Sequence, residues 1–269
     1  MPVATPIALT IAGSDSSGGA GIQADLKTFA ALGVYGASVI TALTAQNTQG
    51  VSAIHEVPAQ VVTAQIDAVF SDLAVNAVKI GMLARADIIE AVAAGLDRWR
   101  AANVVLDPVM IATSGDRLLA PDAIDVLKRE LIPRARVVTP NLPEAAALLG
   151  TGVAADDEEM QAQAEGILGL GAPAVLIKGG HGAGADSVDF LRDGPSVTRF
   201  AVKRIATRNT HGTGCTLSSA IAAGLAKGLD LAAAARAAKA YVTDAIAAAD
   251  RLAVGRGHGP LHHFHSTWV

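Results

Sequence analysis

The chain has 269 residues, which is long enough to bury a large core, and we expect residues 1–269 to form a single domain. A formal net charge of −4 provides no basic surface for nucleic acid, so we expect no nucleic-acid partner. The single cysteine, Cys215, excludes an internal disulfide and any multi-cysteine zinc site.

The N-terminal segment is apolar through Ile11 but has no basic residue before Lys27, which argues against a secretory signal. No run of about 18 apolar residues is free of charge or glycine, so a transmembrane helix is not expected. We therefore expect a cytoplasmic protein with no membrane partner.

Residues 7–12 predict a buried strand, residues 13–21 a glycine-rich loop, and the apolar spacing from Ile22 onwards a helix. The loop contains Gly19-x-Gly21-x-x-Ala24, a loose form of the dinucleotide-binding fingerprint. That fingerprint requires an acidic residue about 20 positions further on. The next strand ends at Gln46 and its polar neighbours instead, so the sequence disfavours a Rossmann dehydrogenase.

Strands and helices alternate along the rest of the chain. Further strands are predicted to begin near residues 36, 77, 104, 135 and 174, and helices are predicted at 58–73, 87–101, from Glu144, after Gly214 and at 231–252. This order predicts a mostly parallel sheet with helices on both faces. Two apolar runs around Asp193-Gly194 predict an antiparallel hairpin over 186–203 at the sheet edge.

Polar or functional residues follow the ends of these strands: Asp15, Gln46, the loop at Met82, Asp107, Asn141, Glu144 and Lys178. In open α/β sheets ligands bind beyond the carboxyl ends of the strands. Each residue alone also has a structural explanation, such as a turn cap for Asp107 or a first-turn helix position for Glu144. Their concentration at one edge predicts a functional site there.

Residues Gly212-Thr213-Gly214-Cys215 form a glycine-bracketed turn before a predicted helix. The first N–H groups of a helix have no partner within it and suit an anion, and glycine lets the backbone approach that anion closely. Phosphate is the expected ligand; an ordinary glycine-rich loop before a core helix is the alternative.

An anion-binding turn, a lysine at a strand end and the trio Asp107, Asn141 and Glu144, able to hold Mg²⁺ directly or through water, are the parts that phosphoryl transfer needs. The chain has neither a P-loop nor the motifs of protein kinases. Another kinase fold is required.

Four of the seven histidines lie between residues 255 and 265. A metal site there is conceivable, but we expect a loosely ordered histidine cluster at this glycine-rich end of the chain.

An ordered set of motifs resembles the hydroxymethylpyrimidine/phosphomethylpyrimidine kinases of thiamine biosynthesis, within the ribokinase-like superfamily, over nearly the whole chain. The motifs are residues 13–25 (Gly-Ser-Asp-Ser-Ser-Gly-Gly-Ala-Gly-Ile-Gln-Ala-Asp), 45–48 (Ala-Gln-Asn-Thr), 79–83 (Lys-Ile-Gly-Met-Leu), 107–110 (Asp-Pro-Val-Met), 139–144 (Thr-Pro-Asn-Leu-Pro-Glu), 178–180 (Lys-Gly-Gly), 211–215 (His-Gly-Thr-Gly-Cys) and 257–263 (Gly-His-Gly-Pro-Leu-His-His).

The resemblance implies a three-layer α/β/α kinase fold and two ATP-dependent steps. The first phosphorylates the hydroxymethyl group of 4-amino-5-hydroxymethyl-2-methylpyrimidine, and the second converts the monophosphate to the diphosphate. It also implies ATP and Mg²⁺ as cofactors and a homodimer.

The resemblance assigns roles to individual positions. Gln46 would hydrogen-bond the pyrimidine, with Ala20, Met82 and Val109 lining the ring pocket. Gly212, Thr213 and Gly214 would form the anion hole, Lys178 would meet the ATP phosphates, and Asp107, Asn141 and Glu144 would organise Mg²⁺.

Cys215 occupies the position where sugar kinases of the superfamily place an aspartate base. A helix N-terminus and nearby cations can lower the pKa of a thiol, so Cys215 could be the base for the first step; alternatively it is part of the pocket wall.

The closest rival is a pyridoxal kinase of the same fold; Gln46 favours the pyrimidine, because its amide can donate and accept together. A catalytically silent pyrimidine sensor is disfavoured by the intact lysine, Mg²⁺ trio and anion turn. Residues 180–184 and 112–117 are candidate lids, since kinases exclude water.

Overall fold

The computed structural model describes residues 4–111, 118–120, 122–180 and 184–268. Its strands form one sheet in the order β3-β2-β1-β4-β5-β6-β7-β8-β9. The strands are β1 Ile7–Asp15, β2 Tyr35–Asn47, β3 Gly50–Glu56, β4 Ala77–Ile80, β5 Val104–Leu106, β6 Val137–Val138, β7 Ala174–Lys178, β8 Asp186–Asp193 and β9 Ser196–Lys203. The helices are α1 Gly21–Ala31, α2 Ala59–Phe70, α3 Ala86–Trp99, α4 Ala123–Glu130, α5 Leu142–Leu149, α6 Asp157–Leu168, α7 Thr213–Ala226 and α8 Leu231–Ala247.

The centre of the sheet is parallel, from β2 through β1, β4, β5 and β6 to β7. Antiparallel strands close both edges: β3 pairs with β2, and β8 and β9 extend the sheet beyond β7. The mostly parallel sheet and the edge hairpin are therefore confirmed. Strand β3 was not predicted, because its exposed residues alternate too weakly in polarity to stand out as a strand.

Successive side chains of the central strands point to opposite faces, and each face has its own helices. Leu9, Ile11, Val78, Ile80, Val104 and Leu106 are buried in the core shared with α2, α3, α4, α5 and α6. Their neighbours Ala8, Ala77 and Val105 are buried against α1, α7 and α8. The second group of helices is rich in alanine, so it packs closely on the sheet.

Two strands are longer than the apolar pattern predicts, and both extensions lead towards the same end of the sheet. β1 continues past a register shift between Ala12 and Ser14 and ends at Asp15. β2 continues to Asn47, so Gln46 belongs to the strand itself. Within the described ranges, no helix combines the length and the hydrophobicity that crossing a membrane would require.

Candidate active site

A cavity of about 550 Å³ opens at the carboxyl ends of the parallel strands. It is lined by all twelve residues that the sequence assigned to a site: Ala20, Gln46, Met82, Asp107, Val109, Asn141, Glu144, Lys178, Gly212, Thr213, Gly214 and Cys215. These residues come from points along the chain almost 200 residues apart, and the parallel topology brings them together.

Asp15 organises the glycine-rich loop that follows β1. Its Oδ2 accepts the N–H groups of Gly19 at 3.1 Å and Ala20 at 2.8 Å, and its Oδ1 accepts the N–H of Ser17 at 2.8 Å. Burial alone would raise the pKa of Asp15, but hydrogen bonds from His211, Ser17 and Ala20 lower it to about 2. Asp15 is therefore ionised, and its Oδ2 accepts a hydrogen bond from His211 Nε2 at 2.8 Å.

The turn before α7 packs directly on that loop. Gly212 has φ +82°, and a Cβ there would lie 1.9 Å from the carbonyl oxygen of Gly19, so both conformation and space require glycine. The N–H of Thr213 donates to Thr210 O at 3.2 Å. In the described part of the chain, no acceptor takes the N–H groups of Gly212, Gly214 or Cys215, which leaves them for an anion.

A charged pair lies next to this turn. Lys178 Nζ donates to Asp107 Oδ1 at 2.6 Å, and a Cβ on Gly214 would lie 3.1 Å from the same ammonium. Thr139 and Ser218 hydroxyls also donate to Asp107. Burial disfavours the charged form of each group, but the attraction between the two charges is stronger. Lys178 lowers the pKa of Asp107, and Asp107 raises the pKa of Lys178. Both groups are charged, and the ammonium faces the anion turn.

Asn141 and Glu144 form a capping box at the start of α5. Asn141 Oδ1 accepts the N–H of Glu144 at 2.8 Å, and Glu144 Oε2 accepts the N–H of Asn141 at 2.7 Å. Burial raises the pKa of Glu144 to about 7, against the partial compensation of Lys178 Nζ at 3.8 Å. The capping box fixes both side chains at the cavity wall.

The donor set fits a hydrated divalent cation. Asp107 and Glu144 offer carboxylate oxygens and Asn141 an amide oxygen, the ligand types that Mg²⁺ prefers. Among the described residues, no three His, Cys, Asp or Glu side chains are grouped to hold a metal unaided. A Mg²⁺ ion here would therefore take further ligands from water and from substrate phosphates.

The thiol of Cys215 lies near the buried ion pair of Lys79 and Asp25. Burial raises the pKa of Cys215 to about 11, and Asp25 and Asp107 add to this, while Lys79 only partly opposes them. The lowered pKa that the first of the two alternatives for Cys215 required is therefore not found, which favours the second, a position in the pocket wall. Cys215 is a neutral thiol in the cavity wall.

The ion pair of Lys79 and Asp25 joins four elements, namely β1, α1, β4 and α7. Lys79 Nζ lies 2.9 Å from both carboxylate oxygens of Asp25, which also accept hydrogen bonds from Thr10 and Ser219 at 2.6 Å each. Both charged side chains are fully buried. The sequence motifs contained Asp25 and Lys79 without suggesting their pairing, because 54 residues separate them.

Gln46 also lines the cavity, next to Thr44 and His211. Its Oε1 accepts a hydrogen bond from Thr44 at 3.0 Å. Its amide nitrogen is 3.5 Å from His211 Nε2, which already donates to Asp15 and is therefore not an acceptor. The amide N–H₂ of Gln46 is thus directed into the site without a strong bond to His211.

The far end of the cavity was missed by sequence reasoning. It is lined by apolar side chains of β9, α8 and the segment after β9, namely Val202, Ile205, Val242 and Ile246. Lys239 Nζ donates to Asp189 Oδ2 at 2.7 Å, and Asp189 Oδ1 accepts the N–H of Gly179 at 2.9 Å. The sequence signal that could have indicated this part of the cavity is the carboxylate of Asp189 inside the apolar run of β8.

The C-terminal histidines are ordered by packing. His262 and His263 are buried, which contradicts the expected loose cluster. Of the two candidate lids, residues 112–117 and the central residues 181–183 of the other lie outside the described residues.

Comparisons with known proteins identify the family of the chain. A family model for phosphomethylpyrimidine kinase matches residues 15–262. A hydroxymethylpyrimidine/phosphomethylpyrimidine kinase of Rhizobium meliloti is 62% identical over 264 residues, covering 98% of this chain and 99% of the relative.

Solved structures give the same picture. The phosphomethylpyrimidine kinase of Clostridium difficile is 46% identical with a TM-score of 0.79, covering 89% of this chain and 99% of its own. An ADP complex of Bacillus subtilis pyridoxal kinase is 39% identical with a TM-score of 0.90, covering 97% and 98%. These likenesses confirm the ribokinase-like three-layer α/β/α fold. With a family model that spans most of its length and a relative of 62% identity, the chain belongs to the phosphomethylpyrimidine kinase family.

Proposed function

We propose that this kinase uses ATP to phosphorylate the hydroxymethyl group of 4-amino-5-hydroxymethyl-2-methylpyrimidine and then phosphorylates the monophosphate to the diphosphate. The observation that carries the proposal is one cavity whose lining contains Gln46 and Met82, the anion turn with the Lys178–Asp107 pair, and the apolar residues of β9 and α8. Transfer between two substrates needs this order of parts, because the moving phosphoryl group must lie between them.

The pyrimidine belongs in the pocket of Gln46, Met82, Val109 and Ala20. Met82 and Val109 supply apolar surface for the ring faces, and the Gln46 amide supplies a donor and an acceptor for the ring nitrogen and the amino group. The pocket lies beside the turn before α7, so a bound hydroxymethyl group would point towards the free N–H groups there.

The nucleotide belongs at the far end, where apolar residues of β9 and α8 suit an adenine ring. Its phosphates would extend towards Lys178, whose raised pKa keeps the ammonium charged at neutral pH. Mg²⁺, held through Asp107, Asn141 and Glu144, would neutralise phosphate charge. The N–H groups of Gly214 and Cys215 then stabilise negative charge on the transferred group.

The test is an ATP-consumption assay with Mg²⁺ on the hydroxymethylpyrimidine, its monophosphate and pyridoxal. We expect turnover of both pyrimidines and little with pyridoxal. Lys178→Met should lower kcat by about 10²–10³-fold, the range for losing one charge-stabilising group. Lys227→Met, a change of an exposed lysine at the end of α7, is the matched control and should behave like the wild type.

The pyridoxal kinase reading has its own support, since structures named as pyridoxal kinases match at 39% identity or less. Preference for pyridoxal in the same assay would overturn the substrate assignment and leave the phosphoryl-transfer site in place. Gln46→Met should raise KM for the pyrimidine and leave KM for ATP unchanged, because only the pyrimidine is proposed to meet this amide. A homodimer and a cytoplasmic location remain part of the proposal; sedimentation of the purified chain tests the first.

A further inference from the structure

Residues 255–263, here called the C-terminal strap, follow the last helix and return to the mouth of the active site. The motif Gly-His-Gly-Pro-Leu-His-His lies in this segment, and the phosphoryl-transfer chemistry described above assigns it no role. The strap contacts two separate walls of the site, the end of β2 and the turn before α7.

At the first wall the strap is tied to Thr48, two residues after Gln46. Thr48 Oγ1 accepts the N–H groups of Arg256 at 3.2 Å and Gly257 at 3.1 Å, and Thr48 O accepts the N–H of His258 at 2.9 Å. A Cβ on Gly257 would lie 1.9 Å from Thr48 O, so the approach requires glycine.

At the second wall the strap pairs with the residues that lead into α7. His211 N donates to Gly259 O at 3.0 Å, and His211 forms an isolated parallel bridge with Pro260. A Cβ on Gly259 would lie 2.1 Å from Asn209 Oδ1. The strap is therefore fixed against the segment immediately before Gly212.

His263 connects the strap to the side chain of Thr216 in α7. Its Nε2 lies 3.0 Å from Thr216 Oγ1, which in turn lies 2.8 Å from the carbonyl oxygen of Gly212. Two oxygens this close need a proton between them, so the Thr216 hydroxyl donates to Gly212 O. That hydroxyl has only one proton, so we assign the single hydrogen of the neutral His263 ring to Nε2, which then donates to Thr216 Oγ1.

The surroundings of His263 keep this arrangement in place. Burial lowers the pKa of His263 to about 4, and Lys27 adds to the effect, so the ring is neutral at neutral pH. Tyr241 OH donates to the carbonyl oxygen of His263 at 2.7 Å. A neutral imidazole with a fixed backbone acts here as a single, directed donor.

We propose that His263 is a positioning residue for phosphoryl transfer: through the Thr216 hydroxyl it fixes the Gly212 carbonyl and so directs the N–H groups at the start of α7 into the cavity. This inference rests on the proposed role of that turn in holding the transferred phosphoryl group. The peptide plane of the Gly212 carbonyl also carries the N–H of Thr213, which donates to Thr210 O at 3.2 Å, and the carbonyl oxygen accepts the N–H of Thr216 at 2.9 Å as well as its hydroxyl. Holding this plane from the Thr216 side chain therefore fixes the turn from which the free N–H groups of Gly214 and Cys215 follow.

The kinetic test compares His263→Phe, which fills the space without a donor, with His263→Gln, whose amide nitrogen can replace Nε2. Because a misplaced charge-stabilising group slows catalysis, His263→Phe should lower kcat about tenfold, with KM for both substrates within about threefold. His263→Gln should recover most of kcat. Equal losses in the two variants, or a change in KM alone, would overturn the proposal.

Thr216→Val offers a second, nearly isosteric break of the same chain. If His263 acts through Thr216, the double variant His263→Phe/Thr216→Val should be no slower than Thr216→Val alone. Additive losses would show that the two side chains act independently and would contradict the proposal. Leu231→Ala, a buried change in the same apolar core, controls for lost stability and should lower Tm without this loss of kcat.

Hydrogen–deuterium exchange provides a readout that needs no substrate. Amides of residues 209–217 should exchange faster in His263→Phe than in His263→Gln at equal distance from Tm; unchanged exchange would overturn the proposal. If the wild type turns over pyridoxal but neither pyrimidine, this result would contradict the proposed substrate and leave the role of His263 to be tested. The kcat comparison is then made with pyridoxal, because the anion turn serves either acceptor.

Discussion

Cys215 shows how a residue's surroundings decide its chemistry. Burial raises the pKa of the thiol to about 11, which favours its protonated form in the neutral range, and we infer that it is not the resting base for the first step. The acceptor hydroxyl can lose its proton late in a loose transition state, where little general-base help is needed.

We therefore expect Cys215→Ser to slow both phosphorylations by a similar factor and to leave the pH profile of kcat unchanged between pH 6 and 9. Steady-state rates on the hydroxymethylpyrimidine and on its monophosphate measure this. A loss confined to the first step would restore the base that the sequence suggested.

The Lys79–Asp25 pair is the second feature decided at the scale of single residues. Lys79→Met would leave the Asp25 carboxylate buried without its ammonium, and should lower the free energy of unfolding by about 3–5 kcal/mol. Adding Asp25→Asn removes the uncompensated charge and should recover part of that loss. Urea unfolding of the three variants measures both effects; a double variant less stable than Lys79→Met would show that the charge is not the cause.

At the scale of elements, α7 is the helix whose position matters most, because its first turn faces the cavity and its length is buried. Glycines with positive φ lie at both of its ends, Gly212 at +82° and Gly228 at +84°. Only Gly212 is crowded: a Cβ there would meet Gly19 O at 1.9 Å, whereas Gly228 has open space.

Substituting each of these two glycines distinguishes the effect of backbone strain from the effect of displacing the helix. Gly228→Ala should cost about 1 kcal/mol of stability and leave activity unchanged. Gly212→Ala should in addition lower kcat by about 100-fold, because it pushes the anion turn away from the glycine-rich loop. Thermal unfolding and steady-state kinetics of both variants test this, and equal kinetics would refute it.

At the scale of the whole molecule, two buried groups make the fold sensitive to acid. His263 titrates at about 4 when folded and near 6.5 when unfolded, so the unfolded chain binds more protons between these values. Stability should then fall as pH drops from 6.5 to 4. The depressed pKa of Asp15, about 2 instead of 3.8, extends the loss to still lower pH.

The contribution of His263 can be isolated with His263→Gln, which has no titrating ring. Relative to this variant, the wild type should lose roughly 3 kcal/mol of unfolding free energy between pH 6.5 and pH 4. Urea unfolding at four pH values measures the difference, and parallel profiles for the two proteins would contradict it.

The sequence alone determined the features that arise from local patterns. Apolar runs ending in Asp107, Asn141 and Lys178 marked parallel strands and the edge where ligands bind, because strand ends in such a sheet share one side. Glycines around Thr213 marked the anion turn, since few other residues allow that backbone. The ordered motifs indicated the family to which the chain is similar.

Only the tertiary structure decided what depends on long-range contact. The ion pair of Lys79 with Asp25, the pair of Lys239 with Asp189 and the contact of His263 with Thr216 each join residues 47 to 54 positions apart in sequence. The raised pKa of Cys215 belongs with them, because burial and neighbouring charges exist only once the chain has folded.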